Sequence, residues 1–288
     1  MPGQRLHCQR GMTLVELVVT ISVSTVVVAF MALFIVTPMQ AYSAQSRRAD
    51  LVDAADGALR MMGRDLRVAL PNSVRVATAG AATAVEFLLT LDGARYRDNG
   101  PLGNAATELD LTAADGAFAT TVPVTQLALP WSSSSAYLAI YNVGVPGADA
   151  WQGTNVITPA GTSIAVAAGS AANENLVTLS PAFHFAFGSP GRRVYLVDGP
   201  VTYLCDTASG TLRRYDGYAI SAIERTSDGA LMAAGANRAL VASDVAGCQF
   251  SYASGSAQRN ALVTLALSLA RSGESIQLLN ESQLVNAP

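Results

Sequence analysis

The sequence predicts an α+β protein, a long N-terminal helix packed on an antiparallel β-sheet head, and three observations predict it. An unbroken apolar run stands near the N-terminus, a segment with apolar residues every three or four positions follows it, and the remainder switches to short runs of period two punctuated by Gly and Pro. Half of the 288 residues are hydrophobic and only 14% are charged, which is ample material for a core. The 24 Gly and 12 Pro suit a turn-rich β head better than a helical one.

From Leu17 to Val36, twenty residues carry no charge, Gly or Pro. That matches the roughly 20 residues a helix needs to cross a bilayer and exceeds the roughly 7 to 15 of a secretory h-region. Residues 12–36 are therefore expected to stay in the mature protein as a transmembrane helix. Arg5 and Arg10 precede the run with no acid beside them, so the positive-inside rule places the leader in the cytoplasm and everything after Val36 outside. Cys8 could suggest a lipoprotein, but no apolar stretch precedes it. One carboxylate, Glu16, sits near the start of the run. An acid at a helix centre costs about 2.5 to 3.5 kcal/mol on insertion scales and less near an end, so Glu16 asks for a partner.

Residues 37–70 read as an amphipathic helix outside the membrane. Between Tyr42 and Leu70 the apolar stripe is Leu51, Ala55, Leu59 or Ala58, Met62, Leu66 and Ala69. Asp56 and Arg60 form an i, i+4 pair, and Arg47, Arg48, Arg64 and Arg67 read as a solvated face. Pro38 should bend the helix or leave a hydrogen bond unmade, and Pro71 closes it.

Residues 71–288 read as a β-rich head. Strands are expected at Val74–Val76, Val85–Leu89, Tyr137–Val143, Ser163–Val166, Leu176–Leu179, Val194–Asp198, Val201–Cys205, Leu212–Tyr215, Cys248–Tyr252, Leu262–Leu269 and Ile276–Leu279. Asp198, Gly199 and Pro200 read as a break between two strands, and Ser209 with Gly210 as the next turn. From Asp98 to Gly191 six acids occur without one Arg, so residues about 99–191 read as a low-charge insertion within one head, with Trp131 to Tyr137 (WSSSSAY) as an exposed loop.

Cys205 and Cys248 remain as an even pair once Cys8 leaves with a leader, and both lie in strand-like sequence on the side expected to be oxidising. A disulfide between them would restrict the unfolded chain by roughly 4 kcal/mol in the chain-entropy model; two independent buried thiols are the alternative. Catalytic chemistry has little to work with. The chain contains no Lys, and after the leader its one histidine is His184, between Phe183 and Phe185, which reads as a strand residue. No P-loop, GxSxG or HExxH pattern occurs, so no enzyme activity, cofactor or metal site is expected. Asp110 with Asp115, and Asp92 with Asp98, could hold Ca²⁺ in loops but do not fit an EF-hand spacing, and turn acids are the plainer reading. The formal charge of -3, more negative still without Arg5 and Arg10, gives no support for nucleic-acid binding.

The stretch GMTLVEL, Gly11 to Leu17, resembles the N-terminus of type IV pilins and type II secretion pseudopilins. That resemblance implies a cleaved leader, residues 1–11, cut by a prepilin peptidase between Gly11 and Met12, with N-methylation of the new terminus at Met12. Phenylalanine is commoner at that position than methionine. It also implies that Glu16 pairs with the N-terminal amine of a neighbouring subunit during assembly. Residues 12 and 16 lie one helical turn apart, roughly 6 Å of rise, so helices staggered by one turn could bring the two charges together, and the ammonium would offset the carboxylate's desolvation. The plainer alternative is a tolerated acid that snorkels to the interface or stays protonated.

Residues 47–76, TLDGARYRD at 90–98, VTYLCD at 201–206, LRRYDGY at 212–218 and the terminal VNAP are similar to minor pilins of the mannose-sensitive haemagglutinin type IV pilus. The implied partners are the prepilin peptidase, major and other minor pilins, an inner-membrane pilus assembly platform, and membrane lipid before assembly. The implied location is a single pass of the inner membrane of a Gram-negative bacterium with a periplasmic head, then the pilus. Two readings compete with it: a type II secretion tip pseudopilin, which would share N-terminus and fold, and a membrane-anchored periplasmic adhesin or enzyme.

Overall fold

A computed structural model describes residues 11–98, 107–255 and 259–285; Arg5, Cys8, Arg10 and the end of VNAP lie outside them. The chain divides into two units, Met1–Asp50 and Leu51–Pro288. Its helices are α1 (Leu14–Met31), α2 (Thr37–Arg67) and α3 (Asp228–Ala233). Its strands are β1 (Arg75–Ala79), β2 (Ala82–Tyr96), β3 (Asp115–Val122), β4 (Trp131–Ser133), β5 (Tyr137–Ala139), β6 (Ser163–Ala168), β7 (Asn175–Phe183), β8 (Arg193–Asp206), β9 (Thr211–Asp216), β10 (Asn237–Ser243), β11 (Val245–Ala253), β12 (Ala261–Arg271) and β13 (Glu274–Leu284). A long apolar N-terminal helix with an antiparallel β-sheet head is the α+β, pilin-like architecture that the sequence predicts.

In the first unit, α1 is followed by a π-helical segment, Ala32–Val36, just before Pro38. Proline cannot donate to the carbonyl four residues back, and its ring crowds that carbonyl; the wider π turn absorbs both defects. The helix therefore widens at this point and continues as α2.

In the second unit, the face of α2 formed by Leu51, Ala55, Ala58, Leu59, Met62 and Leu66 is buried, and its 3-and-4 spacing is what aligns it. It packs against Val85 and Phe87 of β2, Val201 and Tyr203 of β8, and Val263, Leu265 and Leu267 of β12. The helix stops at Arg67, short of Leu70, because the next residues join the sheet: Leu70 N–H donates to the Leu88 carbonyl (2.7 Å) and Thr90 N–H to that of Val68 (3.0 Å).

Two sheets face this helix. In one, β12 pairs with both β11 and β13; in the other, the order is β10-β9-β8-β2-β3-β7-β6-β4, with β1 added on β2 and β5 on β8. The disulfide Cys205–Cys248 ties β8 of the larger sheet to β11 of the smaller, with 6.4 Å between Cα atoms. Strands β2 and β8 are long enough to serve two cores. Their first shared part holds the helix-facing core, and their second, from Ala94, Tyr96, Val194 and Leu196, holds another with Phe118, Ile164 and Val177. Between the parts, pairing slips at Leu89/Thr90 and is restored at Thr90/Asp92, leaving Asp198 on β8 and Leu91 on β2 without partners.

The Asp198-Gly199-Pro200 break expected from sequence is thus a bulge inside one continuous strand, and the tolerance of Pro200 has a geometric reason. Leu88, its partner, turns its own N–H to Ser73 Oγ (3.1 Å) and its carbonyl to Leu70, so this pair makes no hydrogen bonds to each other. The ring nitrogen of Pro200 faces β8's other edge, in the gap between β5, paired to 195–197, and β9, paired from Thr202.

Other segments also differ from expectation. Within WSSSSAY, Trp131–Ser133 forms β4 against β6 because Trp131 packs on the second core, leaving Ser134 and Ser135 as the exposed turn. Strand β5 ends at Ala139 rather than Val143, since Tyr141 adopts φ 58° and turns the chain. Strands β3, β4 and β10 and helix α3 carry too little hydrophobic periodicity to stand out in the sequence. The low-charge segment supplies β3–β7 to the same sheet as β2 and β8.

Candidate processing and assembly segment

Helix α1 starts at a cap that its own sequence encodes. Thr13 is extended (φ -76°, ψ 155°) and its Oγ1 accepts a hydrogen bond from the Glu16 N–H (3.2 Å), satisfying one of the free amides of the first turn. Thr13 and Glu16 have the S/T-x-x-E spacing of a capping box, and an acid in the first turn also complements the helix dipole. The Glu16 carboxylate nevertheless makes no hydrogen bond or ion pair among the described residues.

The rest of α1 is built for an apolar surround. None of its residues is buried, and Leu14, Val15, Ile21, Val28 and Phe30 are all more than half exposed. Three of its four hydroxyls turn inward on the backbone: Thr20 donates to the Leu17 carbonyl (2.9 Å), Ser22 to that of Val18 (2.8 Å) and Thr25 to that of Ile21 (2.8 Å). These three hydroxyls are then satisfied within the helix, which is the condition for burying them in lipid or in a bundle of like helices. By length and composition the stretch can cross a membrane, with a mean hydropathy of 2.6 over its most apolar 18 residues. A 20-residue helix spans about 30 Å, the thickness of a bilayer's hydrocarbon core.

Gly11 precedes the cap. A Cβ added there would meet no atom within 4 Å among the described residues, so their packing does not demand glycine at that position. Met12 is exposed beside it.

The head treats its carboxylates differently. Glu86, in the middle of the apolar run of β2, is fully buried and fully engaged: Arg75 Nε donates to Oε2 (2.7 Å) and Tyr218 Oη to Oε1 (2.6 Å). Arg75 also donates to the carbonyls of Ser221 and Ala222 and lies 3.6 Å from the ring centroid of Trp151, a cation–π contact. Burial, and then the Glu86 charge, push the Tyr218 hydroxyl well above its ordinary value. A second cluster fastens α2 to the sheet, Asp65 Oδ2 accepting from Tyr203 Oη (2.8 Å) and Arg214 Nε (2.9 Å). Sequence reasoning did not single out either cluster, although an acid in the apolar run Val85 to Leu89 was a usable signal.

Asp110, Asp115 and Asp92 serve backbone amides, and Asp92 lies buried within β2 rather than in a loop. Asp110 Oδ1 accepts from Thr112 N–H and Oγ1, Asp115 from the N–H groups of Asp110 and Ala117, and Asp92 from those of Gly93, Thr125 and Gln126. Asp98 pairs with Arg192 at 2.7 Å. No group of three or more His, Cys, Asp or Glu among the described residues is placed to hold a metal ion. His184 lies one residue past β7, exposed, with Nε2 3.0 Å from the Leu111 carbonyl oxygen, while Phe183 and Phe185 meet edge to face.

Fold and segment together define a class, an α+β protein whose exposed apolar N-terminal helix is consistent with membrane anchoring. Residues 6–32 match the family model described as the prokaryotic N-terminal methylation motif. That motif supports a type IV pilin- or pseudopilin-like protein, and it implies processing by a prepilin peptidase and assembly with pilins. Comparison with curated proteins and with solved structures yields no significant match.

Proposed function

We propose that this chain is a minor pilin of a type IV pilus, most similar to MshO of the mannose-sensitive haemagglutinin system, and that it acts by helix packing and head contacts rather than by catalysis. Prepilin peptidase cuts between Gly11 and Met12, the Met12 amine is methylated, and the head joins a priming or tip complex from which the major-pilin filament grows. Before assembly the chain sits in the inner membrane with its head in the periplasm. The observation that carries this reading is the Glu16 carboxylate, set in the first turn of an apolar helix and without a partner among the described residues. An unpaired charge in an apolar surround is costly, and the methylated amine of a neighbouring subunit, one helical turn away in a staggered pair, is a partner of the right sign. A large head agrees with a subunit used once or a few times, since a subunit repeated along a helical filament must pack its head at every step.

Mass spectrometry of the N-terminal peptide, from membranes and from sheared filaments, tests the reading in cells with and without prepilin peptidase. A chain beginning at N-methylated Met12, dependent on the peptidase and present in the filaments, is the expected result, and Glu16→Ala should be processed normally yet lost from filaments. A chain that retains Met1 or is cut after Val36 overturns it. Recovery with the type II secretion pseudopilus instead of pili would assign the chain to that system.

A further inference from the structure

We propose that the head pairs with a second copy of itself along the free edge of β13, the two strands antiparallel, so that two three-stranded sheets become one. This is independent of the assembly reading, because no residue of the N-terminal segment takes part. Strand β13 ends the sheet in which β12 pairs with both β11 and β13, so one side of it has no strand partner among the described residues. An unpaired edge is a template for another chain, and proteins usually blunt it by shortness, bulges, proline or basic side chains. The other sheet ends are blunted in these ways: β4 is three residues long, β10 is bulged between Leu240 and Ala242 and carries Arg238, and β11 is bulged between Val245 and Gly247. Strand β13 has eleven residues, an unbroken register with β12, no proline and no basic residue.

The turn before β13 fixes which backbone groups face outward. Ser272 and Gly273, at φ 50° and 83°, form the two-residue turn that closes a hairpin on a hydrogen-bonded pair, here Arg271 and Glu274. Every second residue from Glu274 then bonds to β12. The residues between them, Ser275, Gln277, Leu279, Glu281 and Gln283, turn their N–H and carbonyl groups to the open edge. A two-fold axis at Leu279 sets Leu279 against its own copy, Gln277 against the second copy's Glu281 and Ser275 against its Gln283, so each outward N–H meets a carbonyl. Other axes do worse. One at Asn280 puts Leu279 against the Glu281 carboxylate, one at Gln277 or Leu278 leaves Gln283 without a strand partner, and one at Glu281 puts that acid against itself.

The side chains agree with the Leu279 axis. Leu279 is 62% exposed, an apolar side chain amid Gln277, Glu281 and Gln283, and its own copy would cover it. The Gln277 amide brings donors to the Glu281 carboxylate. On the inner face, Ile276 and Leu278 are only half-buried against the core, and a further strand completes their cover. Because α2 lies on that face, a two-fold perpendicular to the sheet reverses it from one copy to the other. The edge therefore suits heads that meet from opposite directions, on facing surfaces, rather than neighbours in one membrane.

Sedimentation of the mature full-length protein in detergent micelles, over a range of concentrations, should show a monomer–dimer equilibrium. Leu279→Pro removes an outward N–H and none that bonds to β12, and symmetry removes it twice, so dimerisation should weaken by about tenfold or more. Leu279→Arg keeps the backbone and sets two like charges on the axis, and it should have the same effect. Both variants should melt at the wild-type temperature. Leu279→Cys should cross-link to itself on oxidation, since the Cα atoms of a hydrogen-bonded pair lie about 5.5 Å apart, within reach of a disulfide, whereas Ser275→Cys should not. Liposomes carrying the protein should cluster, and Leu279→Pro should disperse them. A monomer at every concentration, a dimer that survives both substitutions, self-linking at Ser275→Cys as strong as at Leu279→Cys, or dimers without clustering of liposomes would each overturn the proposal.

Discussion

The anchor helix and the head each place one acid within an apolar run, and they resolve it in opposite ways. In the head, Glu86 is fully buried and finds Arg75 and Tyr218 within its own unit. In α1, Glu16 is exposed, and among the described residues nothing bonds its carboxylate, although Thr13 caps its amide. A buried acid that its own chain satisfies is part of a fold; an acid in an apolar helix with no partner among the described residues fits the subunit interface proposed for it. The same contrast holds for apolar side chains, since α2 buries Leu51, Met62 and Leu66 against the head while every side chain of α1 is left for lipid or for other helices.

The contrast breaks most directly at the two acids. Glu86→Ala strands the Arg75 guanidinium, whose side chain is only 18% exposed, and breaking one side of a buried pair costs about 3 to 5 kcal/mol. The head of that variant should unfold at markedly lower denaturant concentration, followed by circular dichroism of the detergent-solubilised chain. Glu16→Ala should leave the same unfolding curve in place. Equal losses from both substitutions would mean that Glu16 supports the head, and the division between fold and interface would fall.

The two regions also differ in how far their sequences can be read. The N-terminal helices are legible because their signals are local: the run Leu17 to Val36 and, in α2, the stripe from Leu51 to Leu66 depend on neighbours one turn away, whereas the Thr13 cap emerged only with the structure. The long strand β8 is not legible in this way. Asp198-Gly199-Pro200 reads as a break on any local scale, and only the gap between β5 and β9, strands far apart in sequence, lets the proline stay in the ladder. Strand β4 was hidden for a related reason, since the serines after Trp131 spell a loop while pairing to Val166 and Ile164 makes a strand. The Glu86 cluster draws on Arg75, Trp151 and Tyr218, and no spacing rule connects those positions.

A smaller effect sharpens the account of the head's charges. Glu224 is half-buried and its Oε1 has no hydrogen-bond partner among the described residues. Burial raises its carboxyl to about 7, with Arg75 pulling it down and Glu86 pushing it up. A carboxyl raised in the folded state stabilises while protonated. Its contribution is full below the ordinary value of 4.5, falls as pH rises from there, and is gone once pH passes about 7. Melting temperatures of wild type and Glu224→Gln, compared from pH 4 to 8, should diverge along that slope, the wild type losing ground as pH rises. A difference that stays flat across the range would show that Glu224 titrates normally and that the head satisfies it.

The smallest effect is expected on the solvent face of α2, which belongs neither to the core nor to an apolar surround. Arg60 Nε and Asp56 Oδ2 are 2.7 Å apart, with side chains 73% and 47% exposed. Water screens such a pair and two flexible side chains must be held in place, so an i, i+4 bridge of this kind contributes about 0.3 to 0.5 kcal/mol. Asp56→Ala should therefore shift the denaturant midpoint barely beyond error, and the shift should vanish in high salt. A loss of several-fold greater size would mean that Asp56 is held by something other than Arg60, and that this face of the helix is packed in the form measured. Because Asp56, Glu16 and Glu86 all sit in a helix or strand within one polypeptide, the ranking of their effects follows from surroundings alone: water around the first, an open apolar helix around the second, a closed core around the third.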